Sequence, residues 1–206
     1  MKFSTSKLTL VSIAFFLIAL LGCNVQEATP SIAVPEGVNL ELVKEVESIS
    51  EKQVQKIVFT EMLSKEEKVF IFKKRITEQM QQLSLSSEQR DHLELLVANM
   101  TPELYVNSPL GRKRVDFLST WTAKGKALFG EEALRDIVAS LTPLEAGKKQ
   151  VAPLKASPST GTNCNCATSS SYCGEGYGCT YIPSCNIQGC GTLFVYTCNG
   201  SCDRII

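Results

Sequence analysis

"NCNCATSSSYCGEGYGCTYIPSCNIQGCGTLFVYTCNGSC", residues 163–202, carries eight of the nine cysteines of this 206-residue chain. They are Cys164, Cys166, Cys173, Cys179, Cys185, Cys190, Cys198 and Cys202. An even number of cysteines in a short exported segment indicates a framework of disulfide bonds. A segment of this length buries too little apolar surface to fold without such cross-links. The sequence therefore predicts a small disulfide-rich module of loops and β structure over residues 163–206.

Spacing leaves the pairing of these cysteines open, because eight cysteines allow on the order of a hundred full pairings. Cys164 and Cys166 are separated by one residue. A bridge between them would be strained, so we expect each to pair with a distant part of the module. Four disulfides would each contribute about 2–4 kcal/mol, largely by restricting the unfolded chain.

Two other uses of the cysteines are less compatible with the sequence. Structural zinc sites usually contain Cys pairs spaced by two to four residues, often with histidine. This chain has no Cys-x-x-Cys, and its one histidine, His92, lies far away. Thioether rings between cysteine and Ser or Thr would suit "CATSSSYC", residues 166–173, but not an exported precursor. We expect disulfides, no metal and no cofactor.

The first residues indicate export. Lys2 and Lys7 precede an uncharged apolar run from Leu8 to Gly22, which is shorter than the roughly 20 residues that span a membrane comfortably. The end of the run, Leu20-Leu21-Gly22-Cys23, resembles the lipobox of bacterial lipoproteins. We predict a signal peptide over 1–22, cut by lipoprotein signal peptidase, with Cys23 lipidated and delivered outward to the cell envelope by the sorting machinery. An ordinary cleaved signal with a chance cysteine is the alternative.

The middle of the chain has helical periodicity, and the predicted fold class is mainly α. We expect a flexible tether over 23–37, an irregular bundle of about four or five helices over 38–145, and a linker over 146–162. Ser86 and Gln89 have the spacing of a capping box. Apolar residues recur at steps of three and four in five sets: Val43, Val46, Val54, Ile57 and Val58; Val69, Phe72, Ile76, Met80 and Leu83; Leu93, Leu96, Val97, Met100 and Leu104; Val115, Leu118, Trp121 and Leu128, in a helix weakened by Gly125; and Leu134, Ile137, Val138 and Leu141.

Composition gives no sign of catalysis or of nucleic-acid binding. Lys plus Arg and Asp plus Glu number 21 each, so no global charge attracts an anionic polymer. His92 has no obvious nucleophile or orienting acid in its neighbourhood and is predicted to lie on a helix surface. The pairs Glu66-Glu67 and Glu131-Glu132 are best explained by the helix dipole. We expect no catalytic residues and no enzyme activity.

The cysteine-rich segment resembles the family of fulvocin C-related bacteriocins. The shared features are Asn163-Cys164-x-Cys166, Tyr172-Cys173 after a Ser/Thr run, Cys179-Thr-Tyr-x-Pro183, Gly189-Cys-Gly-Thr192, Val195-Tyr196 and Cys198-Asn-Gly200. The likeness covers about a fifth of the chain. It departs from the family pattern at Cys202, which follows the Asn-Gly pair, whereas the family has Cys-x-Cys before that pair.

The resemblance implies a lipid-anchored bacteriocin precursor, whose module would be freed by cleavage in 146–162 and act on the envelope of competing bacteria. Candidates for contact with a membrane or target are Tyr172, Tyr177, Tyr181, Phe194 and Tyr196. These aromatic residues could instead pack within the disulfide-bonded module. The alternative function is an uncleaved envelope lipoprotein whose cysteine-rich tip is a binding or structural module.

Overall fold

The computed structural model of the chain describes residues 32–141 and 164–205. The predicted signal peptide, Cys23, most of the tether and the 146–162 linker lie outside the described residues. The described residues from Val34 onward belong to one compact unit, in which a helical part is followed by the cysteine-rich module. The predicted class, mainly α with a disulfide-rich strand and loop module, is confirmed.

The helical part contains six α-helices among the described residues. They are α1 (Leu40–Ser48), α2 (Lys52–Met62), α3 (Lys65–Gln82), α4 (Ser87–Asn99), α5 (Pro109–Phe129) and α6 (Glu131–Val138), with a 3₁₀ turn at Pro102–Tyr105. One more helix is present than the five apolar sets suggest, because the first set is divided. Ile49 is extended, and the carboxylate of Glu51 then caps α2 by accepting hydrogen bonds from the N–H groups of Gln53 and Val54.

Two capping boxes fix the starts of the central helices. The predicted box of Ser86 and Gln89 at α4 is confirmed, and Ser64 with Glu67 forms a second one at α3. Glu67 also joins two helices, since its Oε1 accepts a hydrogen bond of 3.0 Å from the N–H of Asn39, the N-cap residue of α1. Burial acts to raise the pKa of Glu67, but its hydrogen bonds with Ser64 and Asn39 outweigh it and lower the pKa below the usual value.

The core of the helical part lies along α3, α4 and α5, where most of the predicted apolar residues are buried. The prediction is wrong for α2. Val54 and Ile57 are 46% and 52% exposed, and Gln55 and Phe59 are buried in their place. The Gln55 side chain remains hydrogen-bonded in the core because its Nε2 donates to the carbonyl oxygen of Val46, at 3.0 Å.

His92 is buried, which corrects the prediction of a surface histidine. Its ring stacks on Trp121 at 4.4 Å, its Nε2 donates to the Trp121 carbonyl oxygen, and Trp121 Nε1 donates to the His92 carbonyl oxygen. Burial lowers the pKa of His92. Helix α5 also continues through Gly125, where a Cβ atom would lie 2.9 Å from Leu134 Cδ2 and 3.1 Å from His92 Nε2. The glycine therefore allows close packing and does not interrupt the helix.

The cysteine-rich module contains two small antiparallel sheets. Its strands are β1 (Tyr177–Tyr181), β2 (Ile187–Cys190), β3 (Tyr196–Cys198) and β4 (Gly200–Arg204). Strand β1 pairs with β4, and β2 pairs with β3 through an irregular register. Residues Thr192–Phe194 form a short 3₁₀ turn between β2 and β3.

In the part of the chain that the structure describes, no helix combines the length and the apolar character that crossing a membrane requires.

Candidate functional site at the helix–module interface

All eight cysteines of the module are paired in four disulfides, which confirms the predicted framework. The pairs are Cys164–Cys185, Cys166–Cys179, Cys173–Cys202 and Cys190–Cys198. As expected, Cys164 and Cys166 reach different parts of the module. No bridge joins the module to the helices, so within the described residues the two parts are held together by non-covalent contacts.

The main contact with the helices is made by residues 191–194, which we call the docking turn. Gly191, Leu193 and Phe194 have φ angles of 69°, 55° and 56°, all in the left-handed region. For a residue other than glycine this conformation costs roughly 1–2 kcal/mol. Such strain persists only where the surroundings enforce it. Leu193 is 0% exposed, and the helical part contacts its carbonyl oxygen and the neighbouring Phe194 ring.

The Phe194 side chain completes an aromatic cluster on the helical part. Its ring makes edge-to-face contacts with Phe59 at 5.4 Å and with Phe72 at 5.6 Å, and those two rings contact each other at 5.5 Å. The backbone of the turn is held too, since the Tyr105 hydroxyl donates to the Leu193 carbonyl oxygen at 2.9 Å. Burial raises the pKa of that hydroxyl. Apolar packing and a buried hydrogen bond thus act on neighbouring residues of the turn.

Thr192 forms a buried polar centre beside the aromatic cluster. Its Oγ1 lies 2.7 Å from Thr122 Oγ1 on α5, 2.7 Å from the Tyr172 hydroxyl and 3.1 Å from Ser170 Oγ. A hydroxyl can donate once and accept twice, so three partners satisfy it fully. Burial raises the pKa of Tyr172 to about 12. The network therefore connects the docking turn, the segment before Cys173 and helix α5 without leaving any of these hydroxyls unpaired.

A charged group on α5 holds the module next to this network. Lys126 on α5 donates to a carboxylate oxygen of Glu131 at 2.9 Å and to the Ser171 carbonyl oxygen at 2.6 Å, and it lies 5.1 Å from the Tyr172 ring centre. The other carboxylate oxygen of Glu131 accepts from the N–H of Gly174 at 2.9 Å. Glu131 thus joins α6 to the module backbone, beyond the helix-dipole role expected for it.

The β2–β3 sheet rests on helix α2 through a lysine. Lys56 Nζ lies 3.2 Å from Cys190 Sγ and 3.7 Å from Cys198 Sγ, and 5.6 Å from the centre of the Phe194 ring. Burial lowers the pKa of Lys56 to about 8. The Cys190–Cys198 bridge is covered by this contact, since each of its residues is 1% exposed.

The five predicted contact residues divide into two groups. Tyr172, Phe194 and Tyr196 face the helices, and the Tyr196 hydroxyl donates to the Val115 carbonyl oxygen at 3.2 Å. Tyr177 and Tyr181 on β1 are 36% and 60% exposed. The partners on the helical side could not be identified from the sequence, because they are spread over four helices and the 3₁₀ turn: Phe59, Phe72, Tyr105, Thr122, Lys126 and Glu131.

A cleft of about 940 Å³ opens beside the docking turn. Its walls come from both parts of the protein and include Phe59, Lys68, Tyr105, Arg112, Phe194 and Val195. Lys68 Nζ donates to the Thr60 carbonyl oxygen at 2.7 Å and lies within 6 Å of the Phe59 and Tyr105 ring centres, at 5.9 and 5.8 Å. The cleft therefore combines an aromatic wall with a cation, and it exists only while the module is docked.

Comparison of the chain with protein-family models, with curated proteins and with solved structures gives no match. The structure itself defines the class, which is a mainly α protein that carries a disulfide-rich module docked on its helices.

Proposed function

We propose that this protein is a bacteriocin-like lipoprotein whose helical part holds the cysteine-rich module in a covered state. The observation that carries the proposal is the docking of Leu193 and Phe194 in left-handed conformations against the helices. The lipobox at Cys23 and the resemblance of the module to fulvocin C-related bacteriocins supply the cellular setting. In this setting the helical part acts as the holding domain of a precursor.

In the docked state the helical part covers aromatic residues of the module. A released module would expose Tyr172, Phe194 and Tyr196 to water, at a cost of about 25 cal/mol for each Å² of apolar surface. Tyrosine and phenylalanine are suited to binding a surface that is apolar in part and wet in part. These exposed aromatic residues would therefore bind another surface, and we propose that this surface is the envelope of a competing cell.

Charge supports a contact through aromatic residues. The formally charged side chains of residues 163–206 are Glu175, Asp203 and Arg204. The module therefore lacks the cationic surface with which many membrane-active peptides approach anionic lipids. Recognition of a specific envelope component fits this composition better than general attraction to anionic membrane.

The second candidate is an uncleaved envelope lipoprotein that binds a ligand. The cleft beside the docking turn favours it, because that cleft is lined by both parts and would be lost if the module left. In this case the module serves as a permanent wall of a binding site, and the lipid anchor holds the whole protein on the envelope.

Mass spectrometry of the natural protein separates the two candidates. Protein is recovered from cell envelopes and from culture medium, and its intact mass is measured before and after reduction. A free, oxidised fragment beginning near Asn163 in the medium supports the precursor. A single acylated species that begins at Cys23 and retains the module supports the uncleaved lipoprotein.

A second experiment tests activity directly. A specific protease site is placed in 146–162, and the full chain is cut there under native conditions. The cut protein is applied to indicator bacteria before and after the two fragments are separated. We expect only the separated module to kill the indicator bacteria. Phe194→Ala should reduce this killing. Ser184→Ala, a control at an exposed turn position, should leave it unchanged. Killing by the uncut chain, or none from a separated and correctly oxidised module, would contradict the holding role.

A further inference from the structure

We propose that Cys166, Cys173, Cys179 and Cys202 form a redox-exchangeable metal site, which holds two disulfides when oxidised and one Zn²⁺ when reduced. The sulfurs of Cys166, Cys173 and Cys202 all lie within 4.8 Å of one another, although they belong to two different disulfides. The fourth sulfur, that of Cys179, is bonded to Cys166. Two neighbouring bridges thus bring three sulfurs together, with the fourth one bond away from the group.

Backbone contacts hold these residues together independently of the S–S bonds. Cys179 on β1 is the register partner of Cys202 on β4. The Cys166 carbonyl oxygen accepts from the N–H groups of Asn199, at 3.0 Å, and Gly200, at 3.2 Å, so Cys166 lies beside the start of β4. In the full chain the module is also held by its contacts with the helical part, so after the two disulfides open, the sheet and its neighbouring segment would still place Cys166, Cys179 and Cys202 near one another.

The distances suit tetrahedral coordination by sulfur. Zn–S bonds are about 2.3 Å long, which places the four sulfurs of a tetrahedral site about 3.8 Å apart. After reduction the two sulfurs of each former bridge must move apart. The Cys166 sulfur must move slightly closer to the sulfurs of Cys173 and Cys202, and rotation of the side chains can supply both changes. Four thiolates are ligands that select zinc over the harder cations.

The surroundings of the cluster also favour thiolates. Ser171 Oγ donates to Cys173 Sγ at 3.3 Å, which is the kind of outer hydrogen bond that orients a metal ligand. Cys173, Cys179 and Cys202 are partly exposed, so a reductant and a metal ion can reach them. Cys190 and Cys198, in contrast, are 1% exposed and face Lys56 as an isolated pair.

Electrons and protons are conserved in both directions of the exchange. Two equivalents of a dithiol reductant each transfer two electrons and two protons, which converts the two disulfides to four thiols and leaves two oxidised dithiols. Zn²⁺ then displaces four protons and forms four Zn–S bonds. In the reverse direction two equivalents of oxidised dithiol take four electrons from the bound thiolates and four protons from water, the two disulfides form again, and Zn²⁺ and two dithiols leave. The same four residues would therefore hold β1 to β4 under both reducing and oxidising conditions.

The test uses the full chain, reduced with a dithiol, freed of reductant without oxygen and titrated with Co²⁺. All samples carry Cys23→Ser, so that every thiol titrated lies in the module. We expect one equivalent of Co²⁺ to give the absorption bands of tetrahedral thiolate coordination, which Zn²⁺ then abolishes. A Cys173→Ser, Cys202→Ser variant should bind at least a hundredfold more weakly, and the matched Cys164→Ser, Cys185→Ser variant should bind like the parent chain.

Alkylation of the parent chain identifies the ligands without relying on variants that can misfold. With Zn²⁺ bound, Cys166, Cys173, Cys179 and Cys202 should be protected from a thiol reagent, while Cys164 and Cys185 are labelled, as peptide mass spectrometry would show. The proposal is overturned if the reduced chain gives no thiolate bands with Co²⁺. It is also overturned if both paired variants lose binding equally, or if protection extends evenly over all eight cysteines.

Discussion

The ring of Phe194 lies edge-on to the ring of Phe59, with 5.4 Å between their centres, and so joins the cysteine-rich module to helix α2. Phe59 is 1% exposed, and its other neighbours in the cluster, Phe72 and Tyr105, come from helix α3 and the 3₁₀ turn that follows α4. The module thus supplies a side chain to the core of the helical part. We therefore expect the two parts to unfold together.

Phe194→Ala tests this joint core. The Phe194 ring is partly buried and faces the cleft on one side, so we expect its removal to lower the free energy of unfolding by about 1–3 kcal/mol, measured by urea denaturation of the oxidised chain. Tyr181→Ala, at a 60% exposed position in β1, is the matched control and should change stability by less than about 0.5 kcal/mol. Equal effects of the two substitutions would show that Phe194 does not contribute to a core.

Thr192→Val tests the buried polar centre. Valine has nearly the same shape, but it removes the oxygen that Thr122, Ser170 and Tyr172 contact. Leaving such partners without a hydrogen bond costs about 1–3 kcal/mol in the free energy of unfolding. The same change at Thr180, an exposed position in β1, should be close to neutral, and thermal unfolding of both variants measures the difference.

The pKa of Lys56 predicts that stability increases with pH over a defined range. Burial lowers the pKa to about 8 in the folded chain, whereas an unfolded lysine has a pKa of about 10.4. Between these two pKa values the unfolded chain binds more protons than the folded chain, so the free energy of unfolding rises with pH. Below pH 8 Lys56 is charged in both states, and the folded chain bears the full cost of burying that charge. Lys56→Met should remove this rise and stabilise the chain at pH 7.

Urea denaturation from pH 7 to about 9.5 measures the difference between Lys56→Met and the parent chain. The upper limit is set by the tyrosines, because unfolded tyrosine ionises with a pKa near 10, while burial raises the pKa of Tyr172 to about 12. Ionisation of Tyr172 in the unfolded chain would therefore lower stability at higher pH. Parallel pH profiles for the two proteins would contradict the assignment to Lys56.

Glu67 predicts the same direction of pH dependence, but in the acid range. Its pKa is lowered in the folded chain, so its contribution is present above the unfolded value of about 4.3 and is lost as the pH falls through the folded value. Glu67→Gln keeps an acceptor for the capping box and should flatten this part of the acid denaturation curve. Glu67→Ala should also cost about 1 kcal/mol at neutral pH, while Glu66→Gln, at a position outside the box, should leave the curve unchanged.

The sequence predicted the features that depend on local pattern. Repeated apolar spacing identified most of the core, and the Ser86–Gln89 box was correct because its hydrogen bonds span three residues. The α2 face was wrong because that helix has apolar residues on two sides, and only packing decides which side is buried. Phe59 is buried, whereas Val54 and Ile57 are exposed, because the aromatic residues that pack on Phe59 lie on other elements of the fold.

The interface could not be predicted, because its contacts join residues far apart in the chain. Thr122 and Thr192 are separated by 70 positions, and Lys56 and Cys190 by 134. No periodicity connects such pairs, and the spacing of the cysteines is compatible with many pairings. The burial of His92 escaped prediction for the same reason, since Trp121 lies on a different helix.

The left-handed docking turn also affects the kinetics of release. Once Leu193 and Phe194 leave the helices, their contacts with Phe59, Phe72 and Tyr105 are lost, while the Cys190–Cys198 bridge and the hydrogen bonds of Thr192 within the module still constrain the turn. A left-handed conformation costs roughly 1–2 kcal/mol, so relaxation of one of these residues would leave the binding-competent turn in about one molecule in five to one in thirty, and the apparent affinity for the helices would fall by the same factor. A released module would thus dock again less readily at the dilution of the medium than the attached module, which its connection holds at a high effective concentration.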